Sequence, residues 1–324
     1  MRTIPLVIVL TTLLLVTSLM SLLSGSELSA SSVLFGQPWP ALEQTLLLQL
    51  RLPRLLLALS AGALLATAGA AVQARFRNPL AEPGLVGINS GAALAAALAI
   101  HAGGGMLMVS LAAFVGGMLA LWGVRLLGQA HQGGSRLILA GLAISTLLGS
   151  LLTLLISTLP DGSLRTVTFW LMGSFANADW PTTTLLLGAM PLIWLALFRQ
   201  WRFLNALQLG ESAAFHLGFA VQREEWRIVL LAAMAAGLVV SGCGMVGFVG
   251  LMAPHIARQL VGGDARRLLQ VAPLLGALLT VLADWAAHSL LAPAELPVGI
   301  ITSLIGAPFF LWLLHRLPAG ASHD

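Results

Sequence analysis

Residues 51–84 read RLPRLLLALSAGALLATAGAAVQARFRNPLAEPG, in which an uncharged apolar run, 55–74, lies between Arg54 and Arg75. A helix rises about 1.5 Å per residue, so about 20 apolar residues cross the roughly 30 Å hydrocarbon core of a membrane. The run therefore predicts a membrane-spanning helix over about residues 52–73. Pro79, Pro83 and Gly84 then predict a rigid turn after that helix.

The whole chain shares this apolar character. Of its 324 residues, 58% are hydrophobic and 9% are charged, whereas a typical soluble domain has about 25% charged residues. So few charges cannot cover the surface of a soluble fold of this length. The composition predicts an all-α polytopic membrane protein in which residues 1–324 form a single transmembrane domain.

Residue types that the sequence lacks exclude several function classes. All 16 basic residues are arginine, so there is no lysine for a P-loop nucleotide site or for Schiff-base chemistry. The lone Cys243 allows neither an intrachain disulfide nor a cysteine-based metal cluster, and the seven histidines show no metal-binding spacing. A net charge of +4 is too small to indicate nucleic-acid binding.

Apolar runs predict ten spans with both termini in the cytoplasm. Residues 228–262 are too many for one span, and Ser241-Gly242-Cys243-Gly244 predicts a break between two short spans. The other eight spans are about 4–23, 52–73, 84–101, 105–124, 137–159, 182–198, 271–291 and 297–314. This count leaves only Arg51, Arg54 and Arg165 outside and 13 arginines inside, as the positive-inside rule requires. The alternative for the first run is a signal peptide with a cleavage site at Leu28-Ser29-Ala30, although the run is longer than such a peptide needs.

One polar segment, about residues 161–176, is too short to span. It predicts an extracytoplasmic half-helix that dips back from the outer face, with Asp161 or Ser163 as its cap. Irregular backbone at membrane depth is tolerated where it lines a cavity, so the segment indicates a transport pathway.

Three sets of polar residues have both a structural and a functional interpretation. Arg51 and Arg54 either anchor lipid phosphates or pair with carboxylates of an extracytoplasmic partner. Asn78 either caps a neighbouring helix or lies at the inner constriction of a pore. Asp284 and His288, four residues apart on one helix face, are either a locally satisfied pair or a functional intramembrane site.

The longest polar loop, residues 199–227, lies on the inner side. Within it, Glu211 to Leu217 predicts a short helix that ends at Gly218, because glycine is the usual residue just past a helix C-terminus. The loop is either a solvated connection or a docking surface for a cytoplasmic partner.

Taken together, the motifs resemble those of the FecCD-type permeases of bacterial ABC importers, which carry iron–siderophores, haem or vitamin B12. The matching segments run in order along nearly the whole chain: RLPR at 51–54, NPLAEPGL at 78–85, GINSG at 87–91, RLILAG at 136–141, FWLMGS at 169–174, LGE at 209–211, GFVGL at 247–251 with Pro254-His255, ELP at 295–297 and GAP at 306–308.

This resemblance implies a type II ABC importer permease of ten transmembrane helices in the bacterial cytoplasmic (inner) membrane. It implies a dimer with a second permease chain, two ATP-binding subunits in the cytoplasm and a substrate-binding protein outside. The chain is then a transport subunit rather than an enzyme. ATP and Mg²⁺ belong to the partner ATPase, and this chain has no cofactor or resident metal of its own.

The resemblance also assigns roles to individual positions. Arg51, Arg54 and His288 would dock the binding protein, although the family usually has arginine where this chain has His288, and histidine titrates near neutrality. Asn78, Leu80 and Ser135 would form the inner gate of the pathway. The loop at about 207–227 would couple to the ATPase through Leu209, Gly210, Glu211, Ser212, His216, Gly218, Arg223 and Arg227.

The implied function is ATP-driven uptake of chelated iron, as a ferric siderophore or haem, by alternating access. Residues 81–84 and 294–297 also resemble vitamin B12 permeases, so cobalamin is the alternative cargo. A remote alternative is an ion-coupled secondary transporter. That class needs carboxylates at mid-membrane, and Asp284 is the only candidate for one.

Overall fold

A computed structural model describes residues 3–24, 41–128, 134–291 and 294–316, and the regular structure of these residues is entirely helical. Numbered in chain order, the helices are α1 (Thr3–Leu23), α2 (Ala41–Phe76), α3 (Ile88–His101), α4 (Met106–Gly128), α5 (Gly134–Ile156), α6 (Asp161–Leu171), α7 (Trp180–Phe198), α8 (Trp201–Gln208), α9 (Glu211–His216), α10 (Val221–Cys243), α11 (Val249–Val261), α12 (Ala265–Ser289) and α13 (Val298–Arg316). Helix α2 contains one π-helical turn, Leu46–Arg51, and a short 3₁₀ helix, Pro83–Val86, precedes α3.

Long apolar helices dominate the chain. Among the described residues, seven helices are long and apolar enough to cross a membrane, namely α1, α2, α4, α5, α7, α10 and α12. Shorter apolar helices cover Ile88–His101 and Val298–Leu313, and α11 has 13 residues. The chain is therefore an all-helical multi-pass membrane protein. Each of the ten predicted spans overlaps one of these helices, and that all ten cross the membrane stays a prediction.

The predicted break inside 228–262 is confirmed. Helix α10 ends at Cys243, and Gly244 has φ 71° and ψ −161°, a conformation that favours glycine. Helix α11 begins only at Val249, after Phe248 has also taken a positive φ of 65°. The chain between these two helices is therefore unwound.

Helix α2 is the central helix of the fold. Of its most apolar 18-residue window, 89% is buried, against 6% for the corresponding windows of α1 and α5. Helices α7, α10, α11 and α12 surround it. Helices α3, α4 and α5 form a second group that packs against α10 through α3 and α4. The apolar outer faces of α1 and α5 are left for lipid or another subunit.

Glycines set the distance between α2 and its neighbours. A Cβ atom on Gly62 would overlap the carbonyl oxygen of Gly276 in α12, and one on Gly69 would overlap that of Gly250 in α11. Thr280 of α12 donates a hydrogen bond of 2.7 Å to the carbonyl of Ala58 across the same contact. The small residues therefore allow close helix packing, as the sequence predicts.

The outer half-helix is shorter than predicted. Helix α6 ends at Leu171 rather than near residue 176, because Gly173 leaves the helical conformation with φ 68°. Neither Asp161 nor Ser163 caps it: Pro160 is the N-cap residue, Asp161 lies in the first turn, and no side chain caps the helix.

Candidate functional site

Three breaks in helical structure meet at one end of the bundle. The amide of Ser174, after α6, donates to the carbonyl of Cys243 at the end of α10, at 2.8 Å. The amide of Gly299, at the start of α13, donates to the carbonyl of Gly173 at 3.4 Å. A Cβ atom on Gly244 would overlap the carbonyl oxygen of Trp170. Glycine is therefore required where these segments touch.

A cavity of about 780 Å³ lies against this junction. Its lining comes from the turn between α3 and α4, from α6, from the end of α10 and from the segment before α13, and it includes Ile100, Met106, Phe169, Trp170, Cys243 and Leu296. Two charged residues, Arg165 and Glu295, also line it, and the Arg165 guanidinium lies 5.7 Å from the centroid of the Phe169 ring. The cavity is thus largely apolar and aromatic, with one cation and one carboxylate. Irregular backbone lines it, as expected for a pathway.

Two carboxylates of the chain itself hold Arg54. Its Nε lies 2.9 Å from Asp284 Oδ2 and its Nη2 lies 3.0 Å from Asp284 Oδ1, while Nη1 lies 2.9 Å from Glu295 Oε2. Of the two alternatives left open for Asp284 and His288, the structure shows the local contact: His288 Nδ1 lies 3.9 Å from Asp284 Oδ2, and Arg54 is the nearer partner of that carboxylate. Sequence reasoning missed Glu295 as a partner of Arg54, although the position of Glu295 in the ELP family motif indicated that it belongs to the site.

Arg51 and His288 reach the end of helix α1. Arg51 Nη1 donates to the carbonyls of Leu22 at 2.8 Å and Ser24 at 3.0 Å. His288 Nε2 lies 3.4 Å from the Ser24 hydroxyl. The three residues predicted for docking are therefore close together in the fold, and each also has contacts within the chain.

At the other end of α2, the Asn78 side chain closes a turn, and the Asn78 amide donates to the carbonyl of Gln73 in α2 at 3.1 Å. Asn78 Oδ1 accepts a hydrogen bond from the Leu80 amide at 2.9 Å, and the Asn78 carbonyl accepts one from the Ala81 amide at 3.1 Å. Arg77 ends α2 in the left-handed conformation with φ 49°. This geometry makes the turn rigid and leaves Leu80 half-buried.

A hydrogen bond from the unwound segment before α11 to Glu82 connects that segment to this turn. Glu82 Oε1 accepts this hydrogen bond of 3.1 Å from the amide of Phe248, the residue with φ 65°. Burial raises the pKa of the Glu82 carboxyl, and the hydrogen bond from Phe248 opposes that rise. Sequence reasoning missed this contact. The third predicted gate residue, Ser135, lies in the first turn of α5 and its side chain is outside the described part.

A short helix lies within the 199–227 loop. As predicted, α9 covers Glu211–His216, Leu217 is its C-cap residue, and Gly218 follows with φ 87°. Leu209, Phe215 and Leu217 expose 74%, 67% and 62% of their surface. Exposed apolar side chains in a polar loop are typical of a protein contact.

The other residues predicted to couple to the ATPase surround this helix. Gly210 is its N-cap residue with φ 112°, and Ser212 lies in its first turn. Arg223 and Arg227 lie in the first two turns of α10, where Arg227 Nη1 is 2.6 Å from Glu224 Oε1. The end of the 199–227 loop, from Val221 onward, is therefore the beginning of α10.

A mostly buried ion pair connects the end of α2 to the beginning of α10. Arg75, in the last turn of α2, places Nη2 2.8 Å from Oε2 of Glu225 in the first two turns of α10. It joins the helix before the Asn78 turn to the helix after the 199–227 loop. Sequence reasoning missed it, because the two residues lie 150 positions apart.

Comparison with known proteins identifies the family of the chain. The model of the FecCD transport family matches residues 10–316. The hemin transport system permease protein HmuU of Yersinia pestis is 43% identical over 83% of this chain and 83% of its own. The vitamin B12 import system permease protein BtuC of Vibrio vulnificus is 39% identical over 97% of this chain and 95% of its own.

A solved structure has the same fold along almost the whole chain. An ABC transporter described as metal-chelate type, in an inward-facing conformation, superimposes with a TM-score of 0.88 at 35% identity, covering 97% of this chain and 99% of that one. Since the family match and both relatives extend over most of the sequence, the chain belongs to the FecCD transport family of ABC importer permeases.

Proposed function

We propose that two copies of this chain form the membrane channel of an ATP-driven importer in the bacterial inner membrane, with ten spans per copy and cytoplasmic termini. Two ATPase subunits bind the inner side and a substrate-binding protein docks outside. ATP binding and hydrolysis then alternate the channel between outward-open and inward-open states. Only a ligand or partner that binds the two states with different affinity can shift their populations.

The observation that carries this proposal is the α9 surface. Leu209, Phe215 and Leu217 are exposed at the tip of an inner loop, next to the acidic Glu211. Exposed apolar groups of this size are costly in water and are expected to be covered by a partner. The Arg75–Glu225 ion pair links the end of this loop to the Asn78 turn, so movement of the loop reaches the proposed gate of Asn78, Leu80 and Ser135.

Docking on the outer side would use Arg51, Arg54 and His288. Both edges of the Arg54 guanidinium already meet carboxylates, and Glu295 is the more exposed of the two partners. A carboxylate of the binding protein would therefore replace Glu295 rather than Asp284. Because Glu295 also lines the outer cavity, docking would change the charge at the cavity.

The proposed cargo is chelated iron, as a ferric siderophore or haem. A cavity lined by aromatic and apolar groups suits a large ring or chelate, and Arg165 offers a cation for an acidic group on it. The 43% identity with the hemin permease supports this cargo. The alternative is vitamin B12, which the similarity to the vitamin B12 permease over 97% of the chain favours.

Two measurements test the function. Purified binding protein of this system is titrated with haem, ferric siderophores and cyanocobalamin: tight binding of an iron chelate supports the proposal, and tight binding of cyanocobalamin alone replaces the cargo. Uptake of the bound compound is then followed in vesicles that contain permease and ATPase. Uptake that persists without ATP would contradict the importer and favour an ion-coupled transporter.

A further inference from the structure

Two arginines share one indole ring beyond the inner end of α7. The guanidinium carbons of Arg202, in α8, and Arg266, in the first turn of α12, lie 5.2 Å and 5.5 Å from the centroid of the Trp201 ring. Both arginines are exposed. Within the described ranges, neither guanidinium has a carboxylate partner. These three residues are named the Trp201 cluster.

Hydrogen bonds fix the two elements that carry the cluster. Asn205 of α8 donates to Asp264 Oδ1 at 2.7 Å and accepts from the Ala265 amide at 2.8 Å. Gln208 donates to the carbonyl of Gly263 at 2.9 Å. Helix α8 is thereby attached to the turn before α12, so the indole and both guanidinium groups are held together without a ligand.

The net charge of this region is positive. Asp264 is the carboxylate next to the cluster, and it is already engaged: it accepts from Asn205 and from the Arg266 amide, and its Oδ2 lies 3.6 Å from Arg267 Nε. Arg199 precedes Trp201 by two residues and is exposed. The charges of the cluster are therefore available to an anion from outside the chain.

The cluster lies where two candidate spans end. Trp201 comes three residues after α7, and Arg266 is the second residue of α12. In the proposed orientation this level is the cytoplasmic interface, where tryptophan is enriched and where anionic headgroups attract basic residues. A planar guanidinium can also donate two parallel hydrogen bonds to one phosphate.

We propose that the Trp201 cluster binds the phosphate of an anionic phospholipid of the inner leaflet. Arg202 and Arg266 donate to the phosphate oxygens, and the Trp201 ring holds both guanidinium groups in place. A lipid so bound would connect α7, α8 and α12 at the base of the inner loop.

Native mass spectrometry of the detergent-solubilised chain, titrated with phosphatidylglycerol or phosphatidylcholine, tests the proposal. We expect the wild-type chain to prefer phosphatidylglycerol, and R202Q/R266Q to bind it about 30-fold more weakly, which converts to about 2 kcal/mol for two basic residues at about 1 kcal/mol each. The matched control is Arg125→Gln, because Arg125 also stacks on a tryptophan, Trp226, at 4.3 Å, but as a single cation. We expect this control to bind phosphatidylglycerol like the wild type.

Three results would overturn the proposal. An equal loss in Arg125→Gln would mean that lipid preference is a diffuse charge effect. Full retention by R202K/R266K would mean that stacked guanidinium geometry is not needed. Unchanged binding of phosphatidylglycerol by R202Q/R266Q would mean that the cluster does not hold the lipid phosphate. The titration needs no substrate or partner protein, so its failure would leave the proposed import function untouched.

Discussion

Neutralising Asp284 is expected to destabilise the fold far more than neutralising Glu295, although both carboxylates bind Arg54. The Asp284 side chain is 5% exposed and the Arg54 side chain 16%, so Asp284→Asn leaves a mostly buried guanidinium without its buried counter-charge. Removing one partner of a buried pair costs about 3–5 kcal/mol. The Glu295 side chain is 45% exposed, and an exposed pair contributes about 0.2–1 kcal/mol.

Thermal unfolding in detergent, followed by tryptophan fluorescence, measures the difference. We expect the decrease in stability for Asp284→Asn to be at least about three times that for Glu295→Gln, from the two ranges above. Asp161→Asn is the control, since Asp161 is exposed at the start of α6, and its effect is expected to stay within about 0.5 kcal/mol.

The same pair of variants tests the exchange of Glu295 during docking. If a carboxylate of the substrate-binding protein replaces Glu295 on Arg54, the Glu295→Gln variant should bind that protein more strongly, because a competing carboxylate has been removed. Equal unfolding midpoints for Asp284→Asn and Glu295→Gln would refute the burial argument. Weaker docking by Glu295→Gln would refute the exchange.

Three further outcomes are expected. Gly276→Ala should lower the unfolding midpoint, because its Cβ would overlap the Gly62 carbonyl oxygen, whereas Gly188→Ala should not, since no atom lies within 4 Å of that Cβ; similar midpoints would contradict close packing. Reversing either charge of the Arg75–Glu225 pair should reduce coupling of ATP hydrolysis to transport, and the double swap should recover at least part of it; a swap no better than either single variant would exclude a direct role of the pair. Phe215→Ser should weaken co-purification of the ATPase without lowering thermal stability, because its ring is exposed; unchanged co-purification would contradict the coupling assignment.

Local sequence was sufficient for several features of the fold. Apolar runs predicted where helices lie, and Gly244 and Gly218 marked two helix ends that the structure confirms. These features depend on neighbouring residues only: an apolar run favours a membrane helix, and glycine alone takes a positive φ at little cost. The same reasoning misplaced the end of α6, where Gly173 packs closely against the backbone of Met245, which is distant in sequence.

Family motifs indicated which positions belong to the candidate site, but not their partners. Arg54 was predicted as a docking cation, and the fold surrounds it with Asp284 and Glu295. Asn78 was an open choice between cap and gate, and its side chain closes a turn. Only the packed structure supplies such partners, because they come from elements that the sequence does not place next to each other.

What the sequence by itself determined is the class of protein, the positions of most helices and the two helix ends marked by Gly244 and Gly218. The tertiary structure alone decided that Arg75 meets Glu225, that Glu82 holds the Phe248 amide, and that three helix breaks surround one cavity. The physical reason lies in the helices themselves. A membrane helix that is apolar on all sides carries little periodic signal of the face that it buries, so the rotation of each helix is fixed by close contacts, such as those of the glycines, that form only when the helices pack.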